Sequence, residues 1–399
     1  MKQLLYILLI LLLANCDQGK NTQVEIPATL AKKLPQAHII DHGTFDCFEE
    51  NLRAAASLLH CETSAVVFNG QDLVFASDAP IPGKNRSAAF SIGYTEGMLA
   101  AQTLTYLTPK PIISAVKYED FTITPDGQYI IATTGFDRVK RNSPKWDNYN
   151  MLLAWPAHNP NEAHIVSPST NQGITSSVSL RKKISSVLTT DHFPHGVPYF
   201  KVEGLAAIPD NKLLFGIREL GQDYNNFSYV IKIIEVSYQI NNGQIQLADD
   251  FKLVYSYNPH RISFIPKQLA LSSIEYDRYH DRLYLLTSFE EGNSDESVGG
   301  FLWILPLNYF RTHYLPLLVL KANTNKPLMF AHKAEGITVL AKNRVFVIHD
   351  DDKVLGRDVV KDPESQFSRK ANQAAYDVVE LFEMNHTLPI SMTGETGNF

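Results

Sequence analysis

Cysteine is scarce in this 399-residue chain: there are three, at positions 16, 47 and 61. None stand as Cys-x-x-Cys, and the chain also lacks a Gly-x-Ser-x-Gly elbow, a phosphate-binding loop and His-Glu-x-x-His. The signatures of several large enzyme classes are therefore missing. A net positive charge is absent too. The net charge is −6, with no basic block or stacked aromatic platform, which sets nucleic acid aside as a partner. Long apolar runs are absent beyond the first 13 residues, so nothing later in the chain has the length of a membrane-spanning helix. Aromatic residues are plentiful, with 18 Tyr and 21 Phe, and together with many β-branched residues they favour strands.

The N-terminus reads as a targeting segment. Lys2 supplies positive charge, Leu4 to Leu13 form an apolar run too short to span a bilayer, and Leu13-Ala14-Asn15-Cys16 closes it. This is the pattern of a bacterial lipoprotein signal, in which Cys16 carries the lipid and holds the protein to a membrane. Asn15 is bulkier than the usual residue before that cysteine, and ordinary cleavage with release is the alternative. Asp17 resembles an inner-membrane retention signal. The expected organisation is a signal over 1–15, a tether over 16–35, one large domain over 36–390 and a tail over 391–399. The expected location is the cell envelope, facing the periplasm or the cell surface. In that oxidising setting Cys47 and Cys61 either pair or stay as two buried thiols; with Cys61 inside a strand motif, buried thiols are the expectation.

Internal repetition decides the fold class. One short pattern recurs at Cys61-Glu62-Thr63-Ser64-Ala65, Tyr118-Glu119-Asp120-Phe121-Thr122, Val202-Glu203-Gly204-Leu205-Ala206, Leu271-Ser272-Ser273-Ile274-Glu275 and Ala334-Glu335-Gly336-Ile337-Thr338. Each copy leads through a polar turn to a second apolar run, such as Leu213-Leu214-Phe215 after Pro209-Asp210-Asn211. Further runs supply outer strands: Ala88 to Ile92 with Ile112 to Val116, Met151 to Trp155, Tyr229 to Val236 with Ile245 to Tyr255, Phe301 to Leu307 with Leu315 to Leu320, and Val378 to Met384. The expectation is an all-β protein, a β-propeller of five four-stranded blades. Leu180, Ile184 and Leu188 recur at helical spacing within Ser176 to Thr190, so a short surface helix is expected before the third blade. Ala37 to Asp41 is expected to close the ring as the last blade's outermost strand, with Asp17 to Leu34 as a spacer from the lipid.

At these motifs the chain resembles a bacterial family catalogued as a domain of unknown function. The matching pieces are Cys61 to Val67, Ser179 to Ile184 leading to Val202 to Ile208, Phe215-Gly216-Ile217-Arg218, Ser273 to Asp277 and Ala334-Glu335-Gly336-Ile337. More distantly, the Glu-Gly-Leu and Glu-Gly-Ile openings are similar to those of phytase-like propellers with proposed esterase activity and of five-bladed calcium-activated nucleotidases. In the nucleotidases, glutamates and hydroxyls at such openings surround a central calcium. The resemblance implies a place for a site.

Aligned unit by unit, Glu62, Glu119, Glu203, Ser272 and Glu335 share one position at the start of the innermost strand. Carboxylates about 6 Å apart repel by roughly 3 kcal/mol at an effective dielectric near 20. A hard cation such as Ca2+ offsets this, and so do backbone N–H groups of a neighbouring blade; both readings stand at this point. For Glu62, the Thr63 and Ser64 hydroxyls are alternative channel groups. Fifteen residues on, Ser77, Thr134, Arg218, Thr287 and Asp350 form a candidate polar ring for an anionic substrate, with Arg218 suited to two oxygens at once or to an ion pair with a channel glutamate. His349-Asp350-Asp351-Asp352 reads as a metal-binding or a solvated turn. Arg138, Lys140, Arg141 and Lys145 read as a basic loop that attracts anions or is simply solvated. His192 and His195 are weaker metal candidates. Two functions are expected: a metal-dependent hydrolase of phosphoesters or related esters, or a non-catalytic binding or scaffold propeller that engages an envelope partner.

Overall fold

The computed structural model describes residues 26, 28–54, 57–140, 143–167, 173–258, 265, 268–291, 298–311, 314–350, 359–361 and 368–382. The five repeated units form five antiparallel sheets whose innermost strands follow one another around a ring. Those innermost strands are Thr63–Phe68, Tyr118–Ile123, Tyr199–Ile208, Ala270–Asp277 and Ala334–Ala341. Each pairs with the strand that follows it: Asp72–Ser77, Tyr129–Thr134, Lys212–Asp223, Arg282–Glu290 and Arg344–His349. The chain is a five-bladed β-propeller, as its repeats indicate. Among the described residues no helix is long and apolar enough to cross a membrane. Cys16 lies outside the described residues.

The turns follow from their residues. In blade three, Asn242 and Gly243 take positive φ of 50° and 77°, the backbone a tight hairpin needs, and they join Asn226–Asn241 to Gln244–Leu247. The expected helix forms over Leu180–Val187, with Leu180 and Ile184 buried in the seam between blades two and three. Ile112 to Val116 departs from the expected strand. Pro109 and Pro111 start a short helix there, Lys110–Ser114, and the outer strand of blade one is instead the partly exposed Met98–Tyr106.

Closure occurs in blade five, where the N-terminal Gln36–Asp46 lies antiparallel to Gln373–Leu381 as an outer strand. This extends the expected Ala37 to Asp41. The expected spacer ends earlier than Leu34: Ile26 and Ala31 are buried, and Leu30 and Leu34 pack with them against the core between blades three and four. Cys47 and Cys61 form a disulfide, which corrects the expectation of two buried thiols. Although Cys61 precedes an inner strand, the loop returning from the closing strand brings Cys47 alongside it.

Side chains stitch neighbouring blades at the ring's inner wall. Asp120 of blade two accepts from Leu205 N at 2.8 Å, Ser273 Oγ at 3.0 Å and Ile274 N at 3.3 Å, joining blades two, three and four. Glu275 of blade four accepts from Val339 N and Thr338 Oγ1 of blade five, and Phe68 N of blade one donates to Thr338 Oγ1 at 3.0 Å. Burial drives the Glu275 carboxyl up to about 8 despite these donors. Carboxylates bound to backbone N–H groups of neighbouring blades therefore exist here, at Asp120 and Glu275.

Candidate functional site

All five innermost strands carry a β-bulge at one equivalent place. The extra residue is Ser64, Glu119, Glu203, Ser272 or Glu335, each falling between two regularly paired neighbours. A bulge leaves one residue out of the ladder and re-aims its side chain. Here it turns Ser64, Glu119, Glu203 and Glu335 into a cavity of about 240 Å³ at the mouth of the channel. In blade four Ser272 instead bonds Ser288 Oγ at 2.6 Å and Arg218 Nη1 at 3.1 Å. Glu119, Glu203 and Glu335 are thus brought together, with Ser272 beside them. Glu62 is not: the blade-one member of the ring is Ser64, two residues later.

That two-residue offset exposes a group that aligning on glutamate missed. Alternate residues of a strand point the same way, so the position two before each bulge also faces the axis. In blades two, three and five it is lysine: Lys117, Lys201 and Lys333. The shared Lys-x-Glu spacing was a sequence signal that these carboxylates carry their own counter-ions. Lys117 Nζ lies 2.7 Å from Asp78 of blade one and 3.2 Å from Glu119. Lys201 Nζ lies 3.2 Å from Glu119 of blade two and also pairs with Glu203. Lys333 Nζ is 2.8 Å from Glu335 and 3.9 Å from Glu290 of blade four. Each ammonium bridges its own blade to the preceding one, so the ion pairs run around the axis in one direction.

Arg218 completes the arrangement. Its Nε is 3.7 Å from Glu203, and its Nη1 donates to Leu271 O, Ser272 Oγ and Ser288 Oγ, each at 3.1 Å. The guanidinium is thus bound into the contact between blades three and four. Burial works to raise the Glu203 carboxyl, but Lys201 and Arg218 outweigh it and hold Glu203 down at about 2. Glu119 is pushed well above the usual carboxylate range by burial and by the Glu203 charge, against the pull of Lys117 and Lys201. Glu335 is raised by burial, with Lys333 opposing. Gly135 makes room for the buried acid, since a Cβ there would meet Glu119 Oε1 at 2.9 Å.

The candidate polar ring on the second strands divides in two. Ser77, Thr134 and Thr287 are buried strand residues that pair directly with Thr63, Tyr118 and Leu271. Thr134 Oγ1 accepts from Met151 N at 2.8 Å and Thr287 Oγ1 from Trp303 Nε1 at 2.9 Å, so both hydroxyls serve the blade interior. Neither Thr134 nor Thr287 lines the mouth. One residue later the chain faces the other way, and Asp78, Arg218 and Asp350 do line it. His349 pairs with Asp377 at 2.9 Å, while Asp351 and Asp352 lie outside the described residues. His192 lines a separate cavity near Phe193 and Gln222. Among the described residues no group of three or more His, Cys, Asp or Glu is arranged to hold a metal ion.

The mouth is walled on one side by the long hairpin of blade three, Lys212–Asp223 with Asn226–Asn241, which presents Tyr224, Phe227 and Tyr229. The site is a small polar cavity with acidic and basic groups interleaved on its floor and aromatic rings on one wall.

No family model matches the chain, and no curated protein matches it. Solved structures do. A member of the DUF4221 family from Bacteroides vulgatus is 9% identical and aligns over 88% of this chain and 99% of its own, with a TM-score of 0.39. PhoX from Pseudomonas fluorescens, solved with vanadate, is 7% identical over 89% of this chain and 97% of its own, with a TM-score of 0.37. An aldose sugar dehydrogenase from Streptomyces coelicolor, solved with PQQ, is 13% identical over 85% of this chain and 98% of its own, with a TM-score of 0.35. These are likenesses of fold, and they span proteins of different chemistry.

Proposed function

We propose that this protein is a lipid-anchored, non-catalytic binding propeller of the bacterial cell envelope, whose channel glutamates serve as architecture. The observation that carries this reading is the Lys-x-Glu lattice. Lys117, Lys201 and Lys333 stand against the carboxylates that a bound metal would otherwise neutralise. A second reading, a calcium-dependent hydrolase of phosphoesters or esters, draws on the charge count of the cavity. Its walls carry Asp78, Glu119, Glu203, Glu219, Glu290, Glu335 and Asp350 against Lys117, Lys201, Arg218 and Lys333. Acids exceed bases, and a cation is one way to restore the balance.

Calcium separates the two. Binding to the folded state alone stabilises it by about 2.7 kcal/mol when ligand stands a hundredfold above its dissociation constant. The expected result is that millimolar calcium leaves the melting temperature of the chelator-treated domain unchanged, and that Glu203→Gln responds no differently. A calcium-dependent rise in wild type that shrinks in Glu203→Gln overturns the architectural reading. Turnover of a nucleotide, an inositol phosphate or an aryl ester that stops with chelator then establishes the hydrolase.

Anchoring is tested separately. Cys16→Ser is expected to move the protein from the membrane to the soluble fraction on cell fractionation, and unchanged membrane partition removes Cys16 as the lipid site.

A further inference from the structure

Beside the channel mouth, and sharing Tyr224 with it, lies a second cleft of about 510 Å³. Its size is within the range of pockets that take small molecules. It opens where the chain leaves blade two, at Arg138 and Val139, and meets the blade-three hairpin at Gln222 and Tyr224. Arg138 is held in place by aromatic rings, its guanidinium carbon 4.6 Å from the centre of Tyr149, 5.8 Å from Tyr224 and 6.0 Å from Trp146. Its Nε faces Asp137 Oδ2 at 3.4 Å, while Nη1 and Nη2 meet no acceptor among the described residues. The side chain is 36% exposed, so a ligand reaches those two nitrogens. Stacking fixes the plane of the fork and leaves its open edge for a planar oxyanion.

Charge and wall chemistry narrow the ligand. The Asp137 side chain is fully enclosed, so it meets no ligand and acts only through its charge, on Arg138 and Arg181. Arg181 donates to Phe136 O and to Asn150 Oδ1 and stacks on Phe200, which ties it into the wall. On the rim, Asp223 accepts from Asn225 N at 2.8 Å, and the Lys145 ammonium lies 4.6 Å from the centre of the Trp146 ring. Asp137 and Asp223 thus stand against Arg138, Arg181 and Lys145. A monoanion balances that small positive excess, and a dianion exceeds it. Neutral hydrogen-bonding groups are few: Gln222 supplies an amide, while the Tyr199 hydroxyl is already given to Glu219. A sugar would leave most of its hydroxyls without partners here. Apolar surface is plentiful instead, with Val139 50% and Tyr224 59% exposed and Trp146 and Pro198 beside them. The complementary body is flat and apolar, and it removes those groups from water.

We propose that this cleft binds a small aromatic monocarboxylate, its carboxylate seated on Nη1 and Nη2 of Arg138 and its ring laid against Tyr224 and Val139. The site is independent of the channel's role and stands whichever reading of the channel holds.

Trp146 provides the reporter, because the other two tryptophans, Trp155 and Trp303, are each 1% exposed. Titrating the domain with benzoate, phenylacetate and 3-phenylpropionate is expected to give saturable changes in emission and a raised melting temperature for at least one of them. The matching amide, which keeps the ring and loses the charge, binds roughly tenfold or more weakly, since a hydrogen-bonded charge is given up. Acetate, which lacks the ring, glucuronate, which replaces it with a polyol, and phenyl phosphate, which carries a second charge, are weaker by a similar factor. Arg138→Met keeps the stacked stem and removes the fork, and it loses the response; Trp146→Phe loses the optical signal but keeps the thermal shift; Glu203→Gln in the channel keeps both. The ligand series on wild type makes the same test should Arg138→Met fail to fold. Absence of any saturable response to the three arylcarboxylates overturns the proposal. Equal binding of the amide overturns the role of the Arg138 fork, and equal binding of acetate, glucuronate or phenyl phosphate overturns the aromatic monocarboxylate as the ligand class.

Discussion

Lys201→Met lowers the stability of the domain by about 3–5 kcal/mol, because it removes a buried cation that two buried acids share. The ammonium is 3.2 Å from Glu119 and also pairs with Glu203, and both acids are buried. Methionine fills the space but supplies no charge, which leaves Glu119 with Lys117 at 3.2 Å and Glu203 with Arg218 at 3.7 Å and the more distant Lys333. The loss also depends on pH. In wild type Glu203 is held at about 2, below its ordinary 4.5, so its contribution is full above the ordinary value and fades as pH falls toward 2. Without Lys201 the folded-state value rises, the folded protein takes up protons more readily, and the variant's deficit narrows on acidification. Denaturant unfolding of wild type and variant at neutral pH and near pH 4 checks both parts. Lys370→Met, which breaks the exposed pair with Glu50, is the control and shifts stability by about 0–1 kcal/mol. Equal effects of the two substitutions show that the inner lattice does not bear on stability.

Much of the fold was legible because strand periodicity and turn chemistry are local. The repeated openings, the Asn242-Gly243 hairpin and the helical spacing of Leu180 and Ile184 all depend on neighbours close in the chain. The site was legible only in part, because a bulge shifts register without leaving a mark in composition. Glu62 looks equivalent to Glu119 in a sequence alignment, yet the bulge in blade one falls at Ser64 and puts Glu62 in the place that Lys117 holds in blade two. The same one-residue sensitivity separates Arg218 and Asp350, which line the mouth, from Thr134 and Thr287, which do not. Lys117, Lys201 and Lys333 were readable in principle, since two residues is the period of a strand, but the aligned glutamates drew attention away from them. Asp120 and Glu275 were not readable: what they do is set by backbone from blades distant in sequence.

The disulfide belongs to the same class of long-range fact, and its removal is the second large effect expected. Cys47 and Cys61 bracket the one segment that carries the chain from the closing strand of blade five to the inner strand of blade one. Backbone bonds from Cys47 N to Asn372 O and from Cys61 N to Ala371 O dock both cysteines against the start of blade five's third strand. The bridge therefore clamps the seam where the ring closes. A link across 14 residues stabilises by about 3 kcal/mol, mainly by restricting the unfolded chain, which amounts to several degrees in melting temperature for a domain of this size. Cys47→Ala, Cys61→Ala and wild type under reductant are expected to melt together, all below oxidised wild type. A reductant that leaves wild type unchanged while either alanine variant is destabilised assigns the loss to packing in the buried cluster around Phe45, Phe48 and Phe75. Because such a bond persists where thiols are not kept reduced, the clamp also suits a domain exported to the cell envelope. The same variants should show an increased sensitivity to protease at the seam, since opening a ring at its closure exposes the edges that closure had paired.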